Sequence, residues 1–137
     1  MINTREFVIA DYDAAVALWN RLEGIEIAEG DKRDEINEYL LRNPDFSRVA
    51  EEDGVLVGVA LCGHDGRRDY IYHLAVTPEY QGRGIGKLLM GECIARLRNA
   101  GIIRALILVA DDNPNAHAFY HRSGWEDVSA KVMGIDL

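Results

Sequence analysis

Three glycines, Gly82, Gly84 and Gly86, fall within five residues in the run Gln81-Gly82-Arg83-Gly84-Ile85-Gly86-Lys87. Glycines so spaced let a backbone come close to a ligand with its N–H groups turned outward. Ile85, Leu88, Leu89, Cys93, Ile94 and Leu97 then recur at roughly the spacing of one helix face. A helix starting there leaves its first N–H groups unpaired and puts the positive end of its dipole at the same place. With Arg83 and Lys87 adding charge, the chemistry on offer is a cradle for a diphosphate. The same residues also fit an ordinary turn and helix start with two solvated cations.

Two other phosphate motifs do not fit. A P-loop needs Gly, four residues, then Gly-Lys-Ser/Thr; here Gly82 to Gly86-Lys87 is one residue short and Leu88 stands in the hydroxyl position. A dinucleotide fingerprint needs Gly-x-Gly-x-x-Gly, whereas these glycines are spaced two apart throughout. What remains is Gln-x-x-Gly-x-Gly at Gln81, Gly84 and Gly86. A second segment carries Asn113, Ala116, Tyr120 and Gly124-Trp125, and Asn113 lies 27 residues beyond Gly86 with one predicted strand between. Together the two segments resemble the paired motifs of the GNAT superfamily of N-acetyltransferases, in the family's order and spacing. The chain looks like the RimI-like branch of small bacterial members. The specific resemblance covers residues 70–125 and extends loosely over the rest.

That resemblance implies a division of labour. Acetyl transfer from a thioester to an amine needs the diphosphate gripped, the thioester placed, the amine deprotonated and the leaving thiolate stabilised. The backbone of Gln81, Gly82, Arg83, Gly84, Ile85, Gly86 and Lys87 is expected to hold the diphosphate of acetyl-CoA. The strand carrying Leu74, Ala75 and Val76 is expected to splay from its neighbour and pair its free backbone groups with the pantetheine arm. Tyr120 matches the family's catalytic tyrosine, a phenol placed to hand a proton to the thiolate; packing in the core with Ala116 and Phe119 is its competing role. Asn113 is either the N-cap of the following helix or a contact to the pantetheine arm, two uses that compete for one side chain.

At the general base the chain departs from its relatives. RimI-type enzymes carry a glutamate five residues ahead of the asparagine, where this chain has Leu108. The remaining candidates are His73 and Tyr72 on the fourth strand, Asp111 and Asp112 beside the second motif, and His64 in the preceding loop. Of these, His73 is taken as the catalytic base. The first two helices and the loop before the fourth strand should wall the acceptor pocket. There Glu26, Glu29, Asp31 and Asp65 either attract an ammonium group or stand as solvated loop charges.

These residues need a scaffold. Residues 5–10 read as a strand, and Asp11 caps a helix whose stripe is Ala15, Leu18, Trp19 and Leu22. Residues 23–32 read as a loop, and 33–42 as a helix stopping before Asn43-Pro44. Strands over 46–52 and 55–63 flank the hairpin signal Asp53-Gly54. Residues 70–76 are nearly all apolar or aromatic, which suggests a central strand covered on both faces. The cradle helix runs to Gly101, a strand covers 104–110, and Asn113-Pro114 opens a helix to about residue 122. Strands over 126–128 and 131–137 finish the chain. The expected class is α/β: one domain over 1–137, a mixed central sheet with helices on both faces, ordered β-α-α-β-β-β-α-β-α-β-β as in the GNAT fold.

Composition narrows the function. With 23 acidic against 15 basic residues the net charge is −8, which argues against nucleic acid or an anionic membrane and suits cationic substrates such as amines. No apolar run approaches the roughly 20 residues needed to span a bilayer, and the first residues, Met1 to Glu6, lack a hydrophobic signal region, so the protein reads as cytoplasmic. Cys62 and Cys93 match no metal or redox spacing and read as buried thiols; no metal is expected. The reading is an acetyl-CoA-dependent N-acetyltransferase acting by direct transfer on a primary amine, of a small molecule or a peptide N-terminus. The rival is a non-catalytic CoA-binding sensor or interaction module. The oligomeric state stays open, a homodimer included, as does whether the C-terminal strands are exchanged between subunits.

Overall fold

A computed structural model describes residues 1–137. Five strands form one sheet in the order β1 (Ile2–Glu6), β2 (Arg48–Glu52), β3 (Val55–His64), β4 (Asp69–Val76) and β5 (Ala105–Ile107). The first four pair antiparallel; β4 and β5 run parallel. The helices are α1 (Tyr12–Arg21), α2 (Arg33–Arg42), α3 (Ile85–Asn99) and α4 (Pro114–Arg122). Ala15, Leu18 and Trp19 of α1 and Ile36 of α2 pack with Phe7, Val49, Val59, Leu61 and Ala75 on one face of the sheet. On the other face Ile85, Leu89, Met90, Cys93 and Leu97 of α3 pack on Ala50, Val57, Ala60, Cys62 and Ile71. Helices on both faces of a mixed sheet are what the sequence predicts, and the 33–42 helix falls where its periodicity placed it.

Five local expectations are corrected. The first strand spans Ile2–Glu6, not 5–10, because the Val8 N–H is captured by the Asp11 carboxylate and the chain turns into a short 3-10 segment, Ile9–Asp11. For the same reason Asp11 does not cap α1: its carboxylate grips Val8 and both terminal nitrogens of Arg5. β4 is covered on both faces only in part, since Tyr70 and Tyr72 are each 37% exposed while Asp69, Ile71 and Ala75 are buried. The strand expected over 104–110 shrinks to Ala105–Ile107, which pair with Asp69–Ile71 before β4 and β5 diverge. The last two strands are not formed. Met133, Ile135 and Leu137 alternate as a strand would but remain 89%, 87% and 117% exposed, because no strand lies beside them.

The divergence has a local cause. Across β3 and β4 the register jumps between Val59 and Leu61, so that His73 and Leu74 stand opposite the single residue Ala60. This is a bulge, and His73 takes it with a left-handed φ of 50°. A bulge bends the strand that carries it and sharpens its twist, turning the second half of β4 away from β5.

Candidate active site

The turn before α3 carries the cradle. Gly82 and Gly84 adopt φ of 81° and 82°, conformations that side-chain-bearing residues avoid, and Gly84 is the helix N-cap. The first backbone bond of the helix runs from Leu88 N–H to the Gly84 carbonyl at 3.0 Å, and the N–H groups of residues 82–87 find no acceptor in the protein. A Cβ added at Gly82 or Gly84 would meet nothing within 4 Å, and residues 81–84 are all exposed, so the turn itself stands open to a ligand. Gln81 stands apart from them. Its N–H is bonded to the Pro78 carbonyl at 3.3 Å, and its side-chain amide donates to the Val76 carbonyl at 3.0 Å, locking the turn to the end of β4. The Arg83 guanidinium lies 4.6 Å from the Tyr80 ring centre and donates to the Glu79 carbonyl, while Lys87 is exposed and free of ion pairs.

Beside the cradle, the gap between β4 and β5 opens into a cleft of about 500 Å³. Leu74, Ala75 and Val76 form one wall, Ile107 and Leu108 the other; Gly86 lies at the cradle end, and residues 22–25 border the cleft. Asn113 and Tyr120 reach in from α4. Asn113 caps that helix, its Oδ1 accepting from Ala116 N–H at 3.2 Å. Its Nδ2 has no acceptor and packs against Gly24, where an added Cβ would lie 2.4 Å away. The cap thus engages the amide oxygen and leaves the amide nitrogen uncommitted. Tyr120 is held edge-on by Phe119 at 5.1 Å and Trp125 at 6.0 Å, and burial pushes its phenol up to about 12. Nothing in the protein hydrogen-bonds its hydroxyl. Core packing and a place in the cleft turn out to be compatible.

His73 also lines the cleft, fixed on three sides. Its carbonyl accepts from the Trp19 indole N–H at 3.0 Å, its ring packs 4.9 Å from the Trp19 ring, and its Nε2 lies 3.0 Å from Asp31 Oδ2. The other base candidates lie elsewhere. Tyr72 stacks on Tyr70 at 5.8 Å and meets Tyr39 of α2 edge-on at 6.4 Å, outside the lining of the cleft. His64 packs edge-on against Phe46 and accepts from Gly66 N–H through Nδ1, closing its own turn. Asp111 and Asp112 are exposed. Among the acidic loop residues, Asp65 ties down the N–H groups of Arg67 and Arg68, Glu26 and Glu29 are exposed, and Asp31 alone reaches the site. The two cysteines are buried and unbridged, Cys62 Sγ resting 3.6 Å from Asp69 Oδ1. No group of three His, Cys, Asp or Glu side chains is arranged to hold a metal ion.

The profile of the Acetyltransferase (GNAT) family matches residues 10–125, which takes in the cradle, the cleft and α4. The chain belongs to this family. It is 31% identical over 127 residues to acetyltransferase ECA0875 of Pectobacterium atrosepticum, an alignment covering 93% of this chain and 89% of that protein. The fold matches PaiA N-acetyltransferase of Thermoplasma acidophilum in complex with coenzyme A, with a TM-score of 0.83 at 18% identity over 96% of this chain and 93% of that one. It also matches the aminoglycoside acetyltransferase AAC(6')-Iy bound to a bisubstrate analogue of CoA and acetylneamine, with a TM-score of 0.78 at 17% identity over 100% of this chain and 99% of that one.

This GNAT acetyltransferase accordingly takes acetyl-CoA as its co-substrate, and the cradle fits that role on its own evidence: consecutive unpaired amides at a helix N-terminus, entered through an exposed turn. Sequence reasoning missed the partners of His73. Asp31 lies 42 residues from it and Trp19 lies 54, and no local pattern signals either contact. The only hint was Asp31 among the loop acids, where nothing set it apart from Glu26 or Glu29. The contact of Gly24 with Asn113 was likewise invisible.

Proposed function

We propose that this acetyltransferase moves the acetyl group of acetyl-CoA directly onto a primary amine, on a small molecule or a peptide N-terminus, and that residues 1–137 act as one domain. The observation that carries the reading is the run of unpaired N–H groups over residues 82–87 at the end of a cleft that holds Tyr120 and His73. The amides take the diphosphate, where the helix dipole and each charge-assisted hydrogen bond contribute on the order of 0.3–3 kcal/mol. The pantetheine arm lies along the second half of β4, beside Leu74, Ala75 and Val76, where β5 has drawn away. Asn113 Nδ2 is available to it as a donor.

The chemistry follows from the two side chains. The amine nitrogen attacks the thioester carbonyl, a C–N bond forms and the C–S bond breaks. The proton lost by nitrogen passes to His73, and the sulfur leaves as a thiolate stabilised by the Tyr120 hydroxyl. An ammonium group ordinarily titrates near 10.4, so a base is needed to expose the lone pair at neutral pH. A small-molecule acceptor is favoured over a peptide, because Leu108 occupies the place of the peptide-directed enzymes' glutamate. The unbridged buried cysteines suit a cytoplasmic setting.

Thiol release from acetyl-CoA, measured across a panel of primary amines and with Tyr120→Phe beside the parent, tests the proposal. Amine-dependent release that falls in the variant while CoA binding persists supports it. CoA binding with no turnover on any amine, small or peptidic, favours the non-catalytic module instead.

A further inference from the structure

We infer that Asp31 is a positioning residue for His73, selecting the Nε2–H tautomer so that the Nδ1 lone pair is the proton acceptor. The inference rests on the acetyl-transfer reading above but concerns a different pair of side chains from the cradle. An ionised carboxylate can only accept, so the 3.0 Å contact from Asp31 Oδ2 to His73 Nε2 places the ring proton on Nε2. Nδ1 is then bare, and it makes no hydrogen bond within the protein. The pair is largely shielded, at 19% and 12% side-chain exposure, so water competes little for the bond.

Both partners are held before any substrate arrives. Asp31 Oδ2 also accepts from Ala28 N–H at 3.0 Å, and the Asp31 carbonyl accepts from the Tyr12 hydroxyl at 2.6 Å. His73 is pinned through its carbonyl by Trp19 and sits at φ 50°, a left-handed conformation that costs a non-glycine residue free energy. Strain retained at a residue in the cleft wall, tied by the side chains of Trp19 and Asp31 through three contacts, marks a geometry the fold maintains for a purpose. No cation competes for the ring: α1 presents Trp19, and the other charged residue of the cleft wall is Glu23.

Asp31→Asn is the direct test, with long-range ¹H–¹⁵N correlation of the His73 ring as a readout independent of turnover. The parent chain should show the Nε2–H tautomer, and the variant a mixture. In the variant kcat should fall about 10- to 100-fold, with the KM for acetyl-CoA and the affinity for CoA unchanged within about twofold. Asp31→Glu should recover part of the lost kcat. A parent His73 in the Nδ1–H form overturns the inference even if the variant fails to fold, and so does a folded Asp31→Asn enzyme with full kcat. If no amine is acetylated by the parent, the transfer reading has failed, and the tautomer still decides the positioning claim.

Discussion

Replacing Tyr120 with Phe removes one hydroxyl and leaves the ring where Phe119 and Trp125 hold it. The size of the effect follows from the phenol's environment. Burial holds Tyr120 at about 12, whereas a thiol ordinarily titrates near 8.5. Complete proton transfer from this phenol to a free thiolate therefore runs about 3.5 pH units uphill, about 5 kcal/mol. Tyr120 is thus better suited to donating a hydrogen bond to the departing sulfur than to surrendering its proton outright. A hydrogen bond to a charged group contributes about 1.5–3 kcal/mol, which sets the expected fall in kcat at about 10- to 150-fold. Because the hydroxyl has no partner in the protein, its removal orphans nothing, and the melting temperature should hold. The assay is thiol release at saturating acetyl-CoA and amine, with CoA affinity measured in parallel. An unchanged kcat refutes the role, and a loss above about 10⁴-fold refutes the hydrogen-bond argument in favour of obligatory proton transfer.

Other predictions concern the scaffold around the site. Burial raises the Asp69 carboxyl from 3.8 to about 6, so the folded chain favours the protonated form. The stability this contributes is complete below about pH 4 and lost as pH rises through 6, about 3 kcal/mol in all. Asp69→Asn, neutral throughout, should level that dependence and exceed the parent's stability at pH 7.5; parallel urea-unfolding profiles for the two chains from pH 4.5 to 7.5 would contradict it. Asn113→Asp keeps the oxygen that caps α4 but loses the free Nδ2, so stability should hold while acetyl-CoA binding weakens; Asn113→Ala should lose about 1 kcal/mol of stability as well. Gly91 lies within α3 facing open space, and Gly91→Ala should stabilise the fold by about 0.5–1 kcal/mol. Gly84→Ala, forced into φ 82°, should lose about 1–2 kcal/mol and weaken CoA binding; equal thermal shifts for the two alanines would undo the argument from backbone conformation.

What the sequence disclosed was local. The cradle is legible because its glycines, its helix face and its missing acceptors all lie within one short stretch of chain. Asn113 before Pro114 announced its own cap for the same reason. The bulge at His73 was hidden, since nothing in Tyr72-His73-Leu74 distinguishes a bulged strand from a regular one. The grip on His73 was hidden more deeply, because Trp19 and Asp31 reach it only once the α1 side has packed on the sheet. At the other extreme, the alternation in residues 131–137 reads as a strand, but a strand also requires a neighbouring edge, and β5 ends at Ile107. Asp11 shows the same limit on a smaller scale: a good capping residue was claimed by Arg5, which no helix-start rule considers.

The most direct measurement is a titration of the ¹⁵N-labelled chain with coenzyme A, following the backbone amides one by one. Saturable shifts concentrated on Gly82, Gly84, Ile85, Gly86 and Lys87, extending along Leu74 to Val76, are the predicted result. No shift at millimolar ligand, or shifts confined to the groove at the far end of α3 around Ile102 and Trp125, would contradict the placement of the diphosphate and everything built on it.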